Sequence, residues 1–202
     1  MYAYASKDEI KIYRYLSMDC LKEAMANLRA DCQIIVEAEG VVGTAGNFVT
    51  RNDKVYDLDY AIVLLKAPSE YAANPDLLHQ LIEKEFDAAL ADKFEKVPGM
   101  PLALRYVHHA KKSGLVNFQL DLTIVKRDEG DEERLYEADG HYRWSEPFNR
   151  RFLRIQEETI KDWDQWQDLR DEYLRLKNAS LGQEGQQLSV DLYRQAVANI
   201  YG

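Results

Sequence analysis

Cysteine and long apolar runs are both scarce in this chain of 202 residues, and each scarcity excludes a class of protein. Only Cys20 and Cys32 occur, which is too few for a disulfide framework, so we expect a reducing compartment. No apolar run approaches the roughly 18 residues that span a bilayer. The first residues, Met1 to Asp8, lack the basic and then apolar pattern of a signal peptide. We therefore expect a cytoplasmic protein with no membrane partner.

Positive charge is also in short supply, because 26 Lys and Arg stand against 35 Asp and Glu, a formal charge of −9. A protein whose main task is to grip a nucleic-acid backbone needs a surplus of cations, so that class is disfavoured. The four histidines have no zinc-ligand spacing, and no serine or cysteine lies in a nucleophile motif. The glycine turn at 43–46 lacks the lysine of a P-loop.

The composition that remains, 46% hydrophobic and 30% charged, is typical of one globular domain with a sizeable core. Ser6 and Glu9 form a capping-box pattern before the first apolar stripe. In chain order the pattern predicts a helix over 6–30, strands over 33–39 and 55–65, a helix over 75–96, and a hairpin of strands over 102–109 and 115–125. Residues 50–54 indicate a polar loop, and residues 97–101 indicate a break.

The last third of the chain changes character after a short hairpin predicted about Asp139 and Gly140. Apolar residues recur at helical spacing from Phe152 to Leu176, a polar linker covers 178–187, and a last helix is predicted over 188–200. The order of elements predicts an α/β (α+β) fold, a mixed sheet flanked by helices. We expect a core over 1–147 and a helical C-terminal extension over 148–202 packed on that core. Its exposed face would be a surface for homo-oligomer formation.

The placement of carboxylates carries most of the chemistry. Asp57 and Asp59 stand two residues apart at the head of the predicted strand, so their side chains share one face of it. Two acids on one face repel each other unless a cation or hydrogen bonds hold them, and Mg²⁺ prefers such oxygen ligands. Asp162 and Asp164 have the same spacing in a helical segment, where residues two apart do not face each other.

A third acid, Asp121, lies inside the apolar strand predicted over 115–125. An aspartate in the middle of a strand is disfavoured unless it has a partner. If the two strands are neighbours, the three carboxylates form one cluster. Such a cluster can hold two cations about 3.5–4 Å apart, an arrangement used for phosphoryl chemistry.

The pattern of these residues resembles the nucleotidyltransferases of the DNA polymerase β superfamily. Members of that family combine a strand, a Gly-Ser or Gly-Gly turn that opens a helix, an Asp-x-Asp strand and a third aspartate on a later strand. The chain has Gly43 and Thr44 at the turn, then Asp57-Leu58-Asp59, then Asp121. The resemblance covers roughly residues 6–125.

The resemblance implies Mg²⁺-dependent transfer of a nucleoside monophosphate from an NTP, with ATP the expected donor, to an acceptor hydroxyl. Asp57, Asp59 and Asp121 would be the catalytic metal ligands for two Mg²⁺ ions, or for Mn²⁺ in their place. Gly43, Thr44 and Asn47 would meet the nucleotide at a helix N-terminus. Asn47 and Phe48 stand where many members carry arginine and glycine.

A second, weaker resemblance is to the larger members of the superfamily that make oligonucleotide second messengers. In that branch a strand after the third aspartate leads to a tryptophan and then a proline, here Trp144 and Pro147.

Several alternatives stay open on the sequence. The same fold can serve as a non-catalytic, antitoxin-like module that binds a nucleotide or a protein, or the acids can be incidental in an interaction protein. Arg51, Arg105 and the pair at 111–112 are cations that could face a triphosphate, with a solvated position as the alternative for each. The acceptor could be a small cationic molecule, a protein hydroxyl or an RNA end.

Overall fold

The computed structural model describes residues 1–41, 48–53, 55–181 and 188–202. Ten strands are assigned within these residues: β1 Tyr2–Tyr4, β2 Ile35–Gly40, β3 Thr50–Asn52, β4 Val55–Lys66, β5 Glu95–Met100, β6 Ala103–His109, β7 Val116–Asp128, β8 Asp131–Ala138, β9 His141–Trp144 and β10 Phe148–Asn149. Six helices are assigned: α1 Lys7–Asp31, α2 Ser69–Ala72, α3 Pro75–Leu90, α4 Arg150–Asp162, α5 Trp166–Ala179 and α6 Ser189–Tyr201.

The strands form one mixed sheet whose main path runs β1-β3-β4-β7-β6-β5. The long strands β4 and β7 lie side by side and parallel, and the other pairings are antiparallel. β2 and β3 share the opposite edge of β4, while β8 extends the far end of β7 and carries β9 and β10. The predicted mixed sheet flanked by helices is confirmed.

One face of this sheet is apolar and is covered by α1 and α3. Ser6 caps α1 as predicted, with Glu9 closing the capping box. Asn74 caps α3 through Leu77 N–H, and Pro75 fits the first turn because that position needs no donor. Leu58, Leu21 and Phe86 are fully buried between the layers. These two helices therefore fix the position of β4 and β7 from behind.

The opposite face of the sheet is polar at its centre and lies against the C-terminal helices. Helices α4, α5 and α6 share a second apolar cluster, to which Phe48 contributes from the segment before β3. The Phe48 ring meets Trp166, Tyr173 and Tyr193 edge-on, with centroids 5.4, 5.5 and 5.2 Å away. This one side chain joins the sheet side of the molecule to α5 and α6.

Two predictions for the chain's local structure are wrong. Thr50–Asn52, expected in a polar loop, is strand β3, which pairs with β1 and β4. Residues 97–101, expected as a break, lie largely in β5 and hydrogen-bond to β6 with a register shift between Val97 and Met100. Pro98 is tolerated there because β5 ends the path of the sheet and the pairing is already interrupted.

The helical boundaries also differ in part from those expected. The second long helix ends at Leu90, six residues earlier than predicted, because β5 begins at Glu95. The C-terminal helical pattern is divided by a turn at Trp163–Gln165, where Asp164 has a φ of 59°. Among the residues described, no helix is both long and apolar enough to cross a membrane.

Candidate active site

The three predicted aspartates meet on the polar face of the sheet. Asp59 on β4 is the register partner of Asp121 on β7, because the two strands run parallel and adjacent. Asp57 lies two residues before Asp59 and therefore shares its face. One ligand oxygen from each of the three lies within 4.8 Å of the others. The three carboxylates therefore lie together, as the sequence predicts.

These carboxylates are largely removed from water, since the residues Asp57, Asp59 and Asp121 are only 8%, 7% and 4% exposed. Burial, and then the neighbouring charge of Asp57, raise the pKa of Asp59 well above its ordinary value. Burial likewise raises the pKa of Asp121, although the hydrogen bonds from Arg105 oppose that shift. The cluster therefore has a strong affinity for positive charge.

Lys177, on α5, supplies part of that positive charge. Its Nζ donates to Asp57 Oδ2 at 2.6 Å and to Ser189 Oγ at 2.9 Å. Lys177 is 4% exposed, and although burial alone would lower its pKa, the adjacent carboxylates, Asp57 first, raise it well above the ordinary value. Lys177 is therefore a buried, charged ammonium that binds α5 and α6 to the acid cluster.

Arg105, on β6, supplies a second positive charge to the acid cluster. It is the register partner of Asp121, and its Nε and Nη2 donate to Asp121 Oδ1 and Oδ2, both at 2.8 Å. Such a bidentate ion pair fixes the orientation of the carboxylate plane and compensates the carboxylate charge. Gln119, two residues before Asp121, donates more weakly to Asp57 and Asp121 at 3.4 and 3.3 Å. Three carboxylates and two cations leave this centre with a net negative charge.

Thr50 adds a polar group with no partner at the edge of this centre. It is the register partner of Asp57 across β3 and β4, so both side chains lie on the same face. The residue is 1% exposed, and its Oγ1 is buried without a hydrogen bond in the described structure. An unsatisfied buried hydroxyl is costly, and its position beside Asp57 is suited to a ligand oxygen.

The donor set of the cluster fits a hard divalent cation, because it consists of carboxylate oxygens held close together in a buried position. A cavity of about 30 Å³ adjoins the acids and is lined by residues of the sheet, α5 and α6, among them Tyr2, Arg105, Lys177 and Leu192. That volume is comparable to one or two water molecules and is smaller than a triphosphate. Lys177 and Arg105 line this cavity and each holds one of the carboxylates.

Three other predicted nucleotide-binding residues, Gly43, Thr44 and Asn47, lie outside the described residues. The chain on either side of them is placed: Val41 N–H donates to the backbone oxygen of Asp59 at 3.1 Å. Phe48 is 2% exposed in the C-terminal cluster, so its ring faces the helices and stabilises their docking.

Lys177 and Ser189 are site residues that the sequence predictions missed. A signal for Lys177 was present, because it stands four residues after Tyr173 and one after Leu176, on the apolar stripe of a helix. A lysine on such a stripe needs a buried partner. Ser189 has no comparable signal, since serine at the first turn of a helix is ordinary.

The remaining candidate positions lie away from the acids or have other partners. Asp162 ends α4 and Asp164 lies in the turn after it, so this pair shares no face, as predicted. Lys111 and Lys112 are exposed at the tip of the β6–β7 hairpin, and Arg51 lies 3.8 Å from Glu9. Trp144 ends β9, where Lys126 Nζ lies 4.8 Å from its ring centroid.

Several solved structures share this fold with the chain. DncV of Vibrio cholerae in its 3'-deoxy GTP bound form has a TM-score of 0.57 at 11% identity, covering 98% of this chain and 67% of that one. DncV of Escherichia coli in its 3'-deoxy GTP bound form has a TM-score of 0.55 at 14% identity, covering 98% and 54%. The CdnE c-UMP-AMP synthase of Rhodothermus marinus with Apcpp and Upnpp has a TM-score of 0.52 at 11% identity, covering 96% and 71%.

No protein-family model and no curated protein matches the sequence. The structural likeness nevertheless establishes the fold, which the chain shares with the DncV and CdnE structures. The chain spans about half the length of some structures that it matches, such as 52% of GTP-bound DncV and 54% of the Escherichia coli protein.

Proposed function

We propose that the chain is a Mg²⁺-dependent nucleotidyltransferase that moves a nucleoside monophosphate from an NTP to an acceptor hydroxyl, releasing pyrophosphate. The observation that carries this proposal is the buried cluster of three carboxylates, built by the parallel pairing of Asp59 with Asp121. Three acidic side chains that share one buried face favour a bound cation.

Each residue of the cluster has a proposed role. Asp57 and Asp59 hold the metal, and Asp121 completes the ligand set and assists deprotonation of the acceptor hydroxyl. A bound divalent ion would neutralise triphosphate charge and lower the pKa of that hydroxyl. Lys177, released from Asp57, is placed to meet a phosphate with Ser189 beside it. Gly43, Thr44 and Asn47 remain proposed contacts of the nucleotide.

The structures that share the fold support the choice of first substrates. Two were solved with 3'-deoxy GTP, and a third, a c-UMP-AMP synthase, with Apcpp and Upnpp. We therefore propose that NTPs be tested as donors, ATP first, and that a nucleotide hydroxyl be the first acceptor tested. Small cationic molecules, protein hydroxyls and RNA ends follow.

The test is release of pyrophosphate from α-labelled NTPs in Mg²⁺, with Asp59→Asn as the decisive variant. This change keeps the side-chain shape but removes a ligand charge, so we expect turnover to fall by about 10²- to 10³-fold, the usual effect of losing one strong electrostatic contribution. Asp162→Asn is the matched control, because Asp162 has a second acid at the same spacing, Asp164, but the two share no face at the end of α4. Undiminished turnover in Asp59→Asn refutes the proposal.

A second candidate function has a specific observation in its favour. Lys177 and Arg105 already satisfy two of the three acids, and the adjoining cavity is only about 30 Å³. The fold could then serve as a regulatory module that binds a nucleotide or a protein without turnover. Binding of NTP without release of pyrophosphate, with every acceptor class tried, favours this second function.

A further inference from the structure

Four arginines converge at the far end of the sheet from the acid cluster. Arg127 and Arg134 come from β7 and β8, Arg150 from the start of α4, and Arg194 from α6; we call these four residues the arginine cluster. Their common partner is Glu132, a β8 carboxylate that is only 7% exposed. Because the four arginines come from four different elements, the tertiary fold brings them together.

The four arginines of the cluster outnumber the acidic residues with which they form ion pairs. Its ion pairs in the described structure go to Glu132, Glu39 and Asp191, so four guanidinium groups share three carboxylates. The carboxylates are each used more than once: Glu132 has an oxygen within 4 Å of all four arginines. The cluster therefore has one guanidinium more than these three carboxylates, and a bound anion would balance that charge.

Two buried donors in the cluster also lack acceptors. Arg134 is 7% exposed, and its Nη2 has no hydrogen-bond partner in the described structure. The Nε of Arg194 is likewise buried and without a partner there. Buried guanidinium N–H groups are nearly always satisfied, so each needs an explanation. Burial, and then repulsion from Arg134, lower the pKa of Arg194 to about 10.

A cavity of about 340 Å³ opens beside these arginines. Arg150, Arg194 and Lys161 line it together with aromatic side chains, including Trp166 and Tyr193; Glu132 and Glu157 are the acids in its lining. The cavity is of the size that small-molecule sites have, and it combines apolar walls with a few cations. It also reaches Gly40 and Val41, the described residues just before the predicted glycine turn.

We propose that the arginine cluster is a second anion site, separate from the three aspartates, that binds a phosphate group. The fork geometry of guanidinium groups matches phosphate oxygens, and Arg150 and Arg194 both line the cavity. Arg134 pairs in register with Val125, four residues beyond Asp121 on β7. At about 3.3 Å per residue, the two sites lie about 13 Å apart along the strand.

The experiment is calorimetric titration of the chain with pyrophosphate in the presence of EDTA. Without a divalent ion the aspartates disfavour a bound anion, and the arginine variants identify the part of the binding that depends on the arginine cluster. We expect saturable binding that weakens about tenfold or more in Arg194→Gln and in Arg150→Gln, because each loses a charge-assisted contact. Arg143→Gln, a partly exposed arginine of β9, and Asp59→Asn should bind as the parent chain does.

The contrary results are equally specific. Absence of saturable binding overturns the proposal, as does unchanged affinity in folded Arg150→Gln and Arg194→Gln, or an equal loss in Asp59→Asn. If Arg194→Gln fails to fold, Arg150→Gln decides, since the Arg150 side chain is 41% exposed and less involved in packing. A phosphate-dependent rise in the unfolding temperature, reduced in Arg150→Gln, is the second readout.

The phosphate has two chemical sources, and a further titration distinguishes them. Pyrophosphate is added to the chain already saturated with Mg²⁺ and a non-hydrolysable ATP analogue. Competition identifies the phosphate as part of a nucleotide that reaches the arginine cluster. Simultaneous binding identifies a separate phosphate-bearing ligand. Both results support the second site, and neither depends on the proposed transferase activity.

Discussion

At the scale of single residues, the contact between Lys177 and Asp57 shows how the acid cluster is held together without a metal. The ammonium and the carboxylate lie 2.6 Å apart, with both residues largely buried. Desolvating two charges is expensive, so such a pair adds little net stability, whereas removing one partner leaves the other buried and unpaired. Lys177 therefore compensates the charge of Asp57. A divalent ion that binds Asp57 must share this carboxylate with Lys177 or displace the ammonium group.

We expect Lys177→Met to destabilise the chain by about 3 kcal/mol in EDTA, the usual loss when one partner of a buried pair is removed. Millimolar Mg²⁺ should then restore part of the loss, because a bound cation again compensates Asp57. Thermal unfolding of both forms with and without Mg²⁺ measures this. Lys111→Met, at an exposed hairpin tip, is the control. A destabilised Lys177→Met that is indifferent to Mg²⁺ contradicts the interpretation.

The acids of the site were predictable from the sequence, and their partners were not. Alternation along a strand places Asp57 and Asp59 on one face, and a mid-strand Asp121 demands a neighbour, so local rules suffice for all three. Lys177 is separated from Asp57 by 120 residues, and its position depends on how α5 docks. For Arg105 the sequence predicts either a triphosphate partner or a solvated position, because its pairing in register with Asp121 depends on the order of the strands.

At the scale of elements, Glu172 connects α5 with α6. Arg175 donates two hydrogen bonds to it at 2.7 and 2.8 Å, and Asn199 of α6 donates a third at 2.6 Å. The hydrogen bonds from Arg175, followed by that from Asn199, lower the pKa of Glu172 to about 2, against a smaller opposing effect of burial. The charged form of Glu172 therefore stabilises the helix pair.

The corresponding prediction is that Glu172→Gln lowers the free energy of unfolding by about 1 kcal/mol at pH 7, given the partial screening of this pair. A carboxyl whose pKa is lower in the folded state stabilises it above the ordinary pKa and loses that effect as the pH falls. The difference from the parent chain should thus shrink between about pH 4.5 and 2. Urea unfolding at several pH values measures it.

Glu158→Gln is the matched control for that experiment, because Glu158 pairs with Arg154 on α4 with both side chains well exposed. Its effect on the free energy of unfolding should be smaller, because exposed ion pairs contribute little. A pH-independent loss in Glu172→Gln would show that its contribution is packing and not charge.

Elements with a long, regular pattern were predictable, and short edge elements were not. Helix α1 has both a capping box and an apolar stripe, and β4 is an almost continuous apolar run. The local sequence therefore predicts each of these elements without knowledge of its tertiary partners. Strands β1 and β3 have only three residues each and form because they pair with one another and with β4. Strand β5 contains Pro98 and, among the described strands, pairs with β6 alone. Their existence depends on tertiary partners.

At the scale of the whole molecule, Phe48 connects the segment before β3 with the two C-terminal helices that contact the acid cluster. It comes from the sheet side of the fold and contacts Tyr173, one turn before Lys177, and Tyr193, one turn after Ser189. The docking of α5 and α6 therefore determines whether the ammonium of Lys177 and the hydroxyl of Ser189 reach Asp57.

Phe48→Ala should consequently affect stability and the acid cluster together. Loss of a fully buried phenyl ring costs about 3 kcal/mol, measured by urea unfolding, whereas Phe152→Ala, at a ring that is 55% exposed, should stay within about 0.5 kcal/mol of the parent. Because looser helices hold Lys177 less firmly on Asp57, a folded Phe48→Ala chain should gain more stability from Mg²⁺ than the parent gains. An equal gain in both chains would show that the helices dock independently of the acids, and that Phe48 contributes packing alone.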